Sequence, residues 1–116
     1  MIVCAIDDLI FSIKVSTAAK ALKADVYFER SGDKLLDTIR DKRPALIIFD
    51  LNSARLRPLD AITALKRDPD LRATKTLGYV SHVDTATIDA ARAAGIDQVM
   101  ARSAFVDQLG DILTSA

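Results

Sequence analysis

Cysteine is nearly absent from this chain, charge of either sign is not in excess, and no long hydrophobic run occurs. The single cysteine, Cys4, rules out an internal disulfide. Within the apolar opening Met1-Ile2-Val3-Cys4-Ala5-Ile6 it reads as a small buried hydrophobe rather than a nucleophile. Sixteen Lys and Arg balance sixteen Asp and Glu, and no basic tract stands out. Binding to nucleic acid by this chain alone, or to an anionic membrane, is therefore not expected. No apolar run approaches the roughly 20 residues that span a bilayer. The opening also lacks the charged flank and apolar core of a signal peptide, so the expected location is cytoplasmic. No glycine-rich phosphate loop follows the first apolar run, where Asp7-Asp8-Leu9-Ile10 stands instead. That weighs against one alternative, a small flavodoxin-like enzyme that binds nucleotide or flavin. No repeat, linker or low-complexity segment divides the 116 residues, and one domain spanning 1–116 is expected.

What is present is a series of short apolar runs alternating with helical periodicity. The central run is Ala45-Leu46-Ile47-Ile48-Phe49, which leads directly into Asp50. Continuous hydrophobicity of this length fits a strand covered on both faces. Further strands are expected at 1–6, 25–29, 76–80 and 97–101. Between them, Leu9, Ile13, Ala19 and Leu22 mark the core face of a first helix ending near Lys23. Leu35, Leu36 and Ile39 mark a second over 33–42, stopped by Pro44. Pro58 opens a third through Leu59, Ile62 and Leu65, and residues 70–75 read as a polar connector. An alanine-rich helix over 84–94 is closed by Gly95, and Ser103 is the expected cap of a last helix carrying Phe105, Val106, Leu109, Ile112 and Leu113. Five strands alternating with five helices predict an α/β fold, (βα)5 and flavodoxin-like, with three layers and a five-stranded parallel sheet.

Asp7, Asp8, Asp50, Ser81 and Arg102 all fall at or just past the carboxyl ends of expected strands. In an open α/β sheet these ends converge on one edge. Three clustered carboxylates repel unless a cation neutralises them, and an all-oxygen site of this kind suits Mg²⁺. With a hydroxyl at Ser81 and a permanent charge at Arg102, the set matches a phosphoryl-accepting site. Plainer roles stand beside these. Asp7-Asp8 also fits a cap of the first helix, and Arg102 also fits an ion pair with Asp50. His82, the only histidine, reads as an accessory to the site or as a solvent-facing loop residue. Arg55 and Arg57 lie in the loop after Asp50, where they would recruit an anion, lock the acids or simply be solvated.

Taken in order, these residues resemble the CheY-like receiver domains of bacterial response regulators over the whole chain. Ile6-Asp7-Asp8 is similar to that family's metal-binding acid pair, and Phe49-Asp50-Leu51-Asn52 to its phospho-acceptor strand end. The resemblance implies Asp50 as phospho-acceptor, and Mg²⁺ held by Asp7, Asp8, Asp50 and the main-chain carbonyl of Asn52. It implies Ser81 and Arg102 as phosphoryl-binding and switch residues; His82 and Arg55 stand beside them as accessories on chemistry and position alone. Several positions depart from the pattern: Arg102 stands for the family's lysine, Ser103 for the proline after it, and Val99 for the switch aromatic. Ser53-Ala54 replaces the usual Met-Pro, and Pro58 a glycine. Arg and Lys are not equivalent at a tight site, and a peptide bond before serine is expected to be trans.

The resemblance therefore implies a stand-alone receiver-like module of a two-component phosphorelay, not an enzyme beyond self-phosphorylation and dephosphorylation at Asp50. It would act through protein contacts, as a phosphorylation-independent pseudo-receiver or as an active Mg²⁺-dependent phospho-acceptor. A histidine kinase or phosphotransfer protein is the expected upstream partner. A downstream protein would meet the fourth helix, fifth strand and final helix, and a homodimer is a further expectation.

Overall fold

The computed structural model describes residues 1–81 and 83–116. Five parallel strands form one sheet in the order β2-β1-β3-β4-β5. They are β1 (Ile2–Ala5), β2 (Val26–Phe28), β3 (Leu46–Asp50), β4 (Lys75–Val80) and β5 (Gln98–Ala101). The helices are α1 (Leu9–Leu22), α2 (Gly32–Lys42), α3 (Pro58–Arg67), α4 (Thr85–Ala94), α5 (Arg102–Asp107) and α6 (Leu109–Ser115).

Strand alternation divides the interior into two cores. Val3, Ala5, Ile47 and Phe49 pack with Leu35 and Ile39 of α2, Ile62 and Leu65 of α3, and Ala91 of α4. Ile2, Cys4, Ile48, Leu77 and Tyr79 face the opposite way, onto Phe11, Val15 and Ala19 of α1 and onto Phe105, Leu109 and Leu113. Both faces of β1 and β3 are thus covered, which is why these strands read as unbroken apolar runs. Cys4 is fully buried, and burial pushes its thiol up to about 12, so it packs as a hydrophobe.

Local chemistry sets the helix ends. Pro58 occupies the first turn of α3, where its missing N–H costs nothing. Gly95 closes α4 with φ at 104°, a backbone shape that glycine adopts without strain. Asp84 lies just outside α4 as its cap, its carboxylate accepting from the Thr87 N–H.

Five expectations need correction. On α1, Leu9, Ile10 and Ile13 are 67%, 73% and 57% exposed, and Leu22 is also exposed. The buried set is Phe11, Ser12, Val15 and Ala19. This helix is apolar on both sides, so periodicity alone does not select its buried face. Leu71 in the 70–75 connector is buried in the core instead of lying in a polar strap. Ser103 is not a cap: α5 begins at Arg102, after Ala101 in extended conformation. The last helix is divided at Gln108, two residues before Gly110, and glycine weakens a helix interior. Phe105, Leu109 and Leu113 still all reach the core across that break. Finally, β1 and β2 are each one residue shorter at both ends than expected, and β5 starts one residue later.

Candidate functional site: the acidic edge of the sheet

Asp50 ends β3 beside Tyr79 of β4 in the parallel register, and only 6% of it is exposed. Its Oδ1 accepts from the Asn52 N–H at 3.0 Å. Burial raises its pKa above the ordinary aspartate range. The Asn52 N–H and the Arg102 charge pull the other way, while the Asp7 and Asp8 charges add to the rise. The fold thus brings Asp7, Asp8 and Arg102 close enough to act on Asp50, as the strand-end positions imply.

Asp8 also fills the plainer role. Its Oδ1 accepts from Ile10 N–H at 2.8 Å and Phe11 N–H at 3.2 Å, capping α1. One carboxylate oxygen remains for other work. Because Asp8 occupies these amides, the start of α1 is not a phosphate cradle, which argues against a nucleotide or flavin at that point.

Arg102 does not form the alternative ion pair with Asp50 among the described contacts. Its guanidinium lies over the Phe11 ring, 5.2 Å from the centroid, and 5.9 Å from that of Tyr79. Phe11, Tyr79 and Phe105 make one aromatic group, with Tyr79 at 4.8 Å from Phe11 and 4.7 Å from Phe105. A planar guanidinium stacks on such rings in a way an ammonium does not. The Tyr79 hydroxyl is buried without a hydrogen-bond partner among the described residues, and burial together with the Asp50 charge raises its pKa.

Ser81 is tied to the loop after β3. Its N–H donates to Asn52 Oδ1 at 3.0 Å, and Asn52 Nδ2–H donates to Asp84 at 2.9 Å. Asn52 therefore uses its whole side chain to join the β3–α3 and β4–α4 loops, leaving its main-chain carbonyl as the donor named for a metal. Asp84, the cap of α4 rather than its first residue, is the second anchor of this tie. Its carboxyl is held below the ordinary range by hydrogen bonds from Thr87 and from Asn52. No spacing pattern announces such a tie, because its members are distant in sequence and individually ordinary.

Arg55 and Arg57 lie on the β3–α3 loop, in a cleft whose lining includes none of Asp7, Asp8 and Asp50. They line it with Arg30, Ser31, Gly32 and Asp33, and Arg57 pairs with Asp33. Val99 is half-buried against the core that holds α2 to α4. Ser103 is exposed, and no peptide bond is cis among the described residues, as expected before a serine. His82 lies outside the described residues.

No group of three or more His, Cys, Asp or Glu is drawn into a ready metal cage among the described residues. The donor chemistry nonetheless fits a hard cation: Asp7, the second oxygen of Asp8, Asp50 and a carbonyl are all oxygen ligands. Asp50, raised partly by neighbouring carboxylates, holds charge that a cation would relieve.

In sequence, no family model and no curated protein matches this chain. In structure, the similarity is extensive. A response regulator from Hahella chejuensis superposes with a TM-score of 0.86 at 16% identity, over 97% of this chain and 91% of that one. A signal receiver domain from Bermanella marisrubri gives 0.83 at 23% identity, over 98% and 94%. The Mn²⁺-bound form of response regulator Rcp1 gives 0.81 at 17% identity, over 96% and 89%. No helix of the described residues is long and apolar enough to cross a membrane. The strand order, the two-sided helical cover and these superpositions together give the chain the fold of CheY-like response-regulator receiver domains.

Proposed function

We propose that the chain is a receiver-like signalling module of a two-component phosphorelay that works by binding other proteins, with its site held in one state. The observation that carries this reading is the tie through Asn52. A receiver switch needs the Ser81 loop to move toward a phosphoryl group on the acceptor. Here Asn52 fastens that loop on both sides, at Ser81 and at Asp84. The stacking of Arg102 on Phe11 and the absence of a ring at Val99 support the same reading. The face of α4, β5 and the last two helices is one partner surface. The exposed Leu9, Ile10 and Ile13 of α1 add an apolar face, with Ile10 and Ile13 lining a cleft beside Val106 and Leu109. Nothing in the role requires nucleic acid or a membrane, and its setting is the cytoplasm.

A second reading is favoured by the surroundings of Asp50. Its carboxylate would attack the phosphorus of a kinase or phosphotransfer phosphohistidine. The P–N bond would break, leaving an acyl phosphate on Asp50 and a neutral imidazole on the donor once it takes up a proton. Ser81 O–H and Arg102 would steady the phosphoryl oxygens. Mg²⁺ bound among Asp7, Asp8, Asp50 and the Asn52 carbonyl would supply charge neutralisation, and the Mn²⁺ in Rcp1 supports divalent-cation chemistry on this fold.

Intact mass after incubation with Mg²⁺ and acetyl phosphate, beside Asp50→Asn, separates the readings. Unchanged mass in both proteins is the result expected for the one-state module. A single phosphoryl adduct on the wild type and none on the variant would overturn it in favour of the acceptor.

A further inference from the structure

We propose that the cleft between the β2–α2 and β3–α3 loops binds a phosphate-bearing small molecule. The cleft has a volume of about 450 Å³ and is lined by Arg30, Ser31, Gly32, Asp33, Arg55 and Arg57. Its lining includes none of Asp7, Asp8 and Asp50, and this inference does not depend on whether Asp50 accepts phosphate.

Three guanidiniums from two separate chain segments converge there against one lining carboxylate. Their surroundings differ. Arg30 stacks over the Phe28 ring, 5.4 Å from its centroid, which restricts its head group without consuming its N–H donors. Arg57 pairs with Asp33. Arg55 is exposed and has no hydrogen-bond or ion-pair partner among the described residues. Two of the three guanidiniums therefore keep their donor forks for an incoming anion.

The approach of the two segments is built into the backbone. A Cβ at Gly32 would lie 2.7 Å from the Arg55 carbonyl oxygen, so only glycine lets the loops come this close. Below the cleft, Glu29 accepts from Ser31 N–H at 3.2 Å and from the Thr38 hydroxyl, fixing the shape of the β2–α2 turn. Its carboxylate is buried and turned to those donors, so it does not close the cleft. The start of α2 adds amides to the guanidiniums, because Ser31 makes no side-chain capping bond there.

Guanidinium forks match phosphate oxygens in pairs, and a multiply charged anion satisfies several of them where a single carboxylate cannot. The volume suits a small molecule. Inorganic phosphate and a phosphate ester share this chemistry, and the two are separated by the test.

The test is amide NMR of the full chain without Mg²⁺ at physiological salt, titrated with inorganic phosphate and, separately, with ATP. The expected result is saturable movement of the Ser31, Gly32, Asp33 and Arg55 signals with at least one of these probes. Saturation by phosphate at the lower concentration identifies the free ion as the ligand; saturation by ATP at the lower concentration identifies an ester. Arg30→Gln and Arg55→Gln, both exposed, should each weaken binding about tenfold. Arg92→Gln on α4 should leave it unchanged. Unperturbed circular dichroism of each variant shows that the fold is retained. Movement that does not saturate with either probe, or affinity unaltered in both cleft variants, would overturn the proposal.

Discussion

Asn52 and Asp84, separated by 32 residues, are joined by a 2.9 Å hydrogen bond from the Asn52 amide to the Asp84 carboxylate. With the other end of the same amide accepting from Ser81, two loops that flank the acidic edge become one mechanical unit. Asn52→Ala removes both links at once. Hydrogen exchange at the Ser81 amide should then quicken about tenfold, the scale of one net hydrogen bond. An unchanged rate would show that the loop keeps its place without Asn52.

Asp50 predicts a stability that depends on pH in a defined direction. Its folded pKa lies above the unfolded value, so the native state keeps a proton that the unfolded state releases. Stability therefore falls as pH rises from the ordinary aspartate range through the raised value, and the cost persists at neutral pH. Asp50→Asn removes it. The thermal midpoint at pH 7 should rise by about 2–5 °C, and the gain should vanish near pH 3, where both states are protonated. Melting curves at the two pH values check this.

Arg102 influences both the aromatic group and the acid. Arg102→Ala should cost about 0.5–1 kcal/mol through the lost stacking on Phe11 and Tyr79. It should also raise the Asp50 pKa further, because a cation that lowers it has gone. Carboxyl NMR titration reads the second effect. A purely structural Arg102 would change the melting point and leave that titration in place.

The strand series, the helix order and the parallel class were legible because each rests on local periodicity and turn chemistry. Asp50 stood out for the same reason, as the acid that stops an apolar run. The buried face of α1 was not legible, since Leu9, Ile10 and Ile13 are as apolar as Phe11 and Val15, and only the opposing aromatic group selects between them. The site's electrostatics were partly legible: the acids and Arg102 gather as their strand ends imply. The aromatic seat of Arg102 and the tie through Asn52 were not, because each depends on side chains brought together by tertiary packing.

A second tie lies at the opposite edge of the sheet. Asp97 Oδ2 accepts from Thr76 N–H at 2.8 Å, Thr76 O–H at 2.9 Å and Lys66 at 3.2 Å. Partial burial would raise its pKa, but these donors outweigh that and hold it below the ordinary range. Its contribution is therefore present above the unfolded aspartate pKa and lost as pH falls through the depressed folded value. Asp97→Ala should cost about 1 kcal/mol at pH 7, a modest figure because the carboxylate is half exposed and screened. The difference from wild type should shrink near pH 2.5. Chemical denaturation at both pH values measures it.

The aromatic group beneath Arg102 has an optical consequence. The chain contains no tryptophan and two tyrosines. Tyr27 is exposed on β2 beside Lys42, while Tyr79 is buried next to Asp50. Tyr27→Phe would leave Tyr79 as the one tyrosine, placed directly under the acidic edge. Its emission would then follow protonation, cation binding or loop release at that edge without an attached dye.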